Sequence, residues 1–160
     1  MTKFEELCQL AADATRRSQA YRIQSIQVLV AVRNTLVNYL GCKEESVMFY
    51  PGLSEPEGQK LYGPAGALEI ADDGWWHFGL VVSIGLERLL MRFAMKQKDD
   101  RYVLRPHGEQ QTEFVVTDPK DDFQPVVQWV FNFIKVYYEQ GLDRFLSQRE
   151  KKAGFLNHLD

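Results

Sequence analysis

Glu69, Asp72, Asp73, His77, Glu109 and Glu113 form the most suggestive polar set in the chain. Carboxylates beside an imidazole can exchange protons near neutral pH, and the same donors can hold a divalent cation. Either use requires the fold to bring them together. A strand over 67–71, a tight turn at Asp72-Asp73-Gly74 and a strand over 75–82 would set Glu69 near His77, Asp-Gly being a strong hairpin signal. A neighbouring strand would add Glu113. Successive strand residues point to opposite faces, so Trp76 joins Phe78, Leu80 and Val82 in the core while Trp75 lies beside His77, Gly79 and Val81. Trp75 is then a binding platform or the floor under a loop over 53–66, and the loop floor is the preferred reading. A plainer account of the whole set is also preferred, with Asp72 and Asp73 making the turn and Glu69, His77 and Glu113 on the solvated face of a half-covered sheet. Glu69, Trp75, His77 and Glu113 are the ligand-binding candidates, and no residue is assigned a catalytic role.

Other chemistries lack their residues. A structural zinc site needs four closely spaced ligands, whereas Cys8, Cys42, His77, His107 and His158 are scattered. His107-Gly108-Glu109 begins like a deaminase signature but lacks the paired cysteines, and reads as a turn. Gly63-Pro64-Ala65-Gly66 has no Lys-Ser/Thr ending to cradle a phosphate, and no Gly-x-Ser-x-Gly elbow occurs. No metal or cofactor is expected.

The elements around these residues fall into three stretches. From 2 to 40 there is neither Pro nor Gly, and Gly41 suits the left-handed closing position of a helix. Its apolar residues cluster at Phe4–Ala11 and Ile23–Leu40 around a polar patch at 15–19. A straight helix of that length would reach ~57 Å, beyond the ~40 Å diameter of a compact domain of this size. The helix therefore either breaks near Arg17 or Ser18, the preferred reading, or reaches out to a second subunit. The stretch 46–117 holds most of the Gly and Pro and reads as strands at 46–50, 67–71, 75–82, 101–105 and 112–117. Residues 84–98 are ambiguous. Leu86, Leu89, Leu90, Phe93 and Ala94 make a helical stripe, but Leu89, Met91, Phe93 and Met95 also alternate with Arg88, Arg92 and Lys96, and a strand is favoured over the second half. A last helix spans 122–150, capped by Asp121 or Asp122, and is apolar round most of its circumference. Val127, Val130, Ile134 and Tyr137 can face the sheet, leaving Trp129, Phe133 and Val136 as interface candidates if they stand uncovered.

The expected fold is α+β: one domain over 1–160 with an antiparallel sheet of about five strands and long N- and C-terminal helices packed on one face. At 160 residues, 45% hydrophobic content and net charge -3, the composition is that of a soluble globular protein. The nineteen Lys and Arg are spread along the chain, which argues against nucleic acid. No apolar run approaches a membrane span, and Lys3, Glu5 and Glu6 stand where a signal peptide would turn apolar, so a reducing cytoplasm is the expected setting. The function expected is non-enzymatic protein binding by a homodimer. A small-ligand protein or enzyme around Glu69, Trp75, His77 and Glu113 is the rival. Were 84–98 helical, the element order would be similar to that of the small acidic chaperones of bacterial type III secretion, which implies a dimer holding an extended protein segment.

Overall fold

The computed structural model describes residues 1–55, 57–58, 60–109, 111–117 and 123–141, with the backbone of 156–157. The first helix does not break. α1 runs through Lys3–Leu40, opened by a capping box between Thr2 and Glu5 and closed by Gly41 at φ 68°. Thr15 turns its hydroxyl back onto the Ala11 carbonyl (3.0 Å) and Arg16 pairs with Asp13, so the start of the polar patch is satisfied locally within a continuous helix.

After a 3₁₀ turn at Glu44–Ser46, the chain enters β1 (Val47–Pro51), passes through a loop into the short helix α2 (Pro64–Ala67), and continues as β2 (Glu69–Ile70), β3 (Trp76–Ile84), β4 (Glu87–Lys98), β5 (Arg101–Pro106) and β6 (Phe114–Val116). The main antiparallel path is β1-β3-β4-β5-β6. The two-residue β2 extends the β1 edge of β3, and a two-residue β7 (Leu156–Asn157) pairs with β4. The architecture is α+β, as composition and patterning predict, with short additions to the five-strand path.

Residues 84–98 take the strand. The period-two alternation of Leu89, Met91, Phe93 and Met95 buries a full row on the inner face, and Gly85 at φ 61° starts the hairpin that pairs β3 with β4 from Ile84↔Glu87 to Trp76↔Met95. The helix required by the secretion-chaperone order is absent, and that similarity falls away. The strand expected over 67–71 is shortened to two residues because Pro64 starts a helical turn that Ala67 closes.

α3 (Gln124–Glu139) begins at Phe123 and carries Pro125 in its first turn. The expected extension to 150 and the caps at Asp121 or Asp122 lie outside the described residues. Among the described residues, no helix is long and apolar enough to cross a membrane.

α1 and α3 share one core with the inner sheet face. Val28, Leu29, Val32 and Leu36 meet Phe49, Phe78, Leu80, Leu89, Phe93 and Leu104, and α3 adds Phe123, Val126, Val127, Val130 and Ile134. Polar clamps fix the second half of α1. Arg33 donates to the carbonyls of Val47 (2.7 Å) and Glu44 (2.9 Å), and Tyr21 Oη accepts from the Gln97 amide (2.8 Å). No comparable clamp holds the first half: up to Ala20 every residue except Asp13 is exposed.

Candidate functional site

The outer face of the sheet is ordered by its registers into rows of side chains. Glu69 pairs with His77, His77 with Ala94, and Ala94 with Arg105; the Arg105–Glu113 ion pair at 3.8 Å carries that row to the sheet edge. Tyr50, Gly79 and Arg92 make the next row, which His107 joins by donating its amide to the Arg92 carbonyl (2.9 Å). Trp75 emerges beside this face as expected, and Trp76 is buried with Phe78, Leu80 and Val82.

The hairpin therefore brings Glu69 to His77, but Glu113 does not join them. Two strands separate it from His77, roughly 14 Å at the usual strand spacing. Glu69 is also turned to another use, accepting from the amides of Leu53 (2.9 Å) and Ser54 (3.0 Å) and from Ser54 Oγ (2.5 Å). Partial burial raises its proton affinity, but these three bonds and the Arg92 charge outweigh that and hold its pKa below the ordinary 4.5. Glu69 is thus the anchor of the loop that follows β1.

The described part of that loop rests on the outer face of the sheet. Leu61 and Tyr62 pack on Tyr50, Val81 and Leu90, a second small apolar cluster on the outer face. The Trp75 ring is overlaid by the Arg105 guanidinium at 4.3 Å, with Lys96 and Lys98 at 5.8 and 6.0 Å.

Two residues missed in the sequence complete the polar centre. His77 is buried, and its Nδ1 lies 2.9 Å from Nε2 of His107. Its Nε2 faces Asp73 Oδ1 at 3.6 Å, while Asp73 also accepts from the Trp75 amide (2.9 Å) and makes the expected turn. With both imidazoles neutral, a proton on His77 Nε2 toward Asp73 and one on His107 Nε2 toward His77 Nδ1 serve both contacts. The pKa of His107 is lowered from 6.5, first by desolvation and then by the positive fields of His77, Arg92 and Arg105, with Asp73 opposing. The lowered pKa favours the neutral His107 ring near pH 7. Arg92, the other missed residue, has Nε and Nη2 buried with no hydrogen-bond partner. Extending the β3–β4 register on paper from Gly85 would have put Arg92 opposite Gly79, on the face of His77.

An acid–imidazole–imidazole chain can relay a proton, but no Ser, Thr or Cys nucleophile stands in it. Among the described residues, no three or more His, Cys, Asp or Glu are placed to hold a metal ion. An apolar cavity of about 310 Å³ lies elsewhere, between Leu40, Cys42, Val82, Ile84, Phe131 and Ile134.

The interface candidates on α3 separate. Trp129 meets Phe93 edge-on at 5.7 Å and Phe114 at 6.4 Å, and Phe133 packs on Trp129 at 4.9 Å, so both are half-buried against the sheet side; Val136 is 47% exposed. The large uncovered apolar surface lies instead at the other end of the chain, where Phe4, Leu7 and Leu10 are 74, 62 and 56% exposed. No protein-family model, curated protein or solved structure matches the chain.

Proposed function

We propose that the chain is a homodimeric protein-interaction module, joined through the first half of α1, with no catalytic role assigned to its sheet face. The carrying observation is that α1 projects about 27 Å of helix with exposed Phe4, Leu7 and Leu10. At 100° per residue, Phe4, Leu7, Ala11, Ala14 and Ser18 continue the stripe that Tyr21, Ser25, Val28 and Val32 turn to the core. A helix of this length is marginal alone in water, so a partner on the stripe supplies the packing it lacks.

A second copy is the occupant that fits. Pairing two projecting segments antiparallel about Ala11 sets Phe4 against the partner's Ser18 and Leu7 near the partner's Ala14, large against small. Glu6 and Arg17 lie on the same flank of the stripe, about 20° apart around the axis, and antiparallel pairing places each beside the opposite charge of the other copy. Parallel pairing would set this flank against the other flank of the second copy, so Glu6 and Arg17 would not meet.

Light scattering on a size-exclusion column tests this with the full chain. The expected result is a dimer at tens of micromolar that dissociates on dilution, and a monomer for Leu7→Glu. A wild-type monomer at high concentration would sink the proposal.

A further inference from the structure

We propose that Arg92, beside the His77–His107 couple, is a binding site for an oxyanion, the carboxylate or phosphate group of a small ligand. Its unpartnered Nε and Nη2 form one edge of the guanidinium plane. That edge is the fork that grips two oxygens of one anion in parallel hydrogen bonds. Leaving a guanidinium buried without an acceptor is costly, and an oxyanion answers both donors at once.

Four carboxylates around this face are already employed. Glu69 holds Leu53 and Ser54, Asp73 holds the Trp75 amide and faces His77, Glu113 pairs with Arg105, and Glu109 accepts from Thr112 Oγ1 at 3.1 Å. Arg92 contributes to the field on Glu69 without bonding to it. The acceptor for its edge has therefore to come from outside this set. The fork atoms are closed to solvent, so an anion reaches them by parting their cover; Arg92 is otherwise only partly buried, and exposed His107 stands at the end of its row. Lys96, Lys98 and Arg105 stand around Trp75 on the same face and give it a positive field that draws anions in.

Thermal unfolding of the full chain in sodium phosphate and in sodium acetate, each against sodium chloride at equal ionic strength, tests the assignment. Phosphate or acetate is expected to raise the midpoint by on the order of 5 °C when present about a hundredfold above its dissociation constant. A response to phosphate alone identifies a phosphoryl ligand, and one to acetate identifies a carboxylate. The shift should vanish in Arg92→Met, which keeps the bulk and removes the fork. Arg92→Lys, which keeps the charge without the fork, should lose most of it and serves where the Met variant does not fold. No specific shift in the wild type, or an equal shift in the folded variants, would overturn the site.

Discussion

His107 carries a pH signature that follows first from its desolvation and then from the positive charge around it. Because its folded pKa lies below 6.5, the unfolded chain binds the proton more readily. Its contribution to stability is full above about pH 6.5 and falls as pH drops through that value toward the folded pKa. Urea denaturation between pH 7.5 and 5.5 should show stability declining with acid, and His107→Gln should flatten that decline. A wild-type curve level over this range would refute the linkage. Glu69 gives a second effect of the same sign at lower pH: its pKa is depressed, so its bonds contribute above about 4.5 and weaken as acid protonates it. Glu69→Gln should cost about 1–2 kcal/mol at pH 7 and speed amide exchange at Leu53 and Ser54, the two amides the carboxylate holds. Unchanged exchange at those amides would mean that the loop is anchored elsewhere. The meeting of Glu69 with His77 was legible because the Asp-Gly turn fixes the register between their strands. Arg92 and His107 were not, since the one looked like a routine polar position in an alternating strand and the other belonged to a turn whose position depends on β4.

At the scale of elements, β3 is approached so closely by β1, β4 and the residue that follows β1 that glycine is required twice. A Cβ on Gly79 would come within 2.9 Å of Leu90 Cδ1 and 3.1 Å of both Tyr50 Cβ and Tyr50 O, in the cluster on which the loop rests. Gly79→Ala should therefore cost about 1–3 kcal/mol, because Leu90 can yield but the Tyr50 backbone cannot. At Gly52 the Cβ would lie 2.1 Å from both the C and O atoms of His77, with no flexible neighbour to move. Gly52→Ala should cost more, about 3 kcal/mol or above, and chemical denaturation of the two variants should rank them in that order. The reverse order would contradict the packing described. Neither close approach is written in the local sequence, where Gly52 reads as a turn residue after Pro51. The long strand β4 was half legible, since both periods fit 84–98 and only pairing with β3 and β5 decides between them. The unbroken α1 was misjudged for a related reason: the size of a compact domain limits a helix that packs along its whole length, and the first half of α1 does not pack.

The molecule as a whole presents a net charge of -3, which opposes association, so a dimer has to be specified locally rather than by bulk attraction. The Glu6 and Arg17 flank offers a test that separates the antiparallel pair from other ways of covering Phe4, Leu7 and Leu10. Glu6→Lys alone places a lysine beside the arginine of the second copy at both ends of the pair, and Arg17→Glu alone places two acids together. Each should weaken the dimer about threefold to tenfold at low salt, the range of one or two exposed charge pairs. The double variant Glu6→Lys/Arg17→Glu exchanges the signs, rebuilds both contacts and should recover most of the wild-type affinity in sedimentation equilibrium. Raising the salt to 1 M, where the screening length falls to about 3 Å, should bring all four proteins together. A double variant as weak as the sum of the singles would exclude the antiparallel register while leaving the apolar stripe in play. Leu7→Glu decides that remaining question, because it places a charge in the stripe under either register.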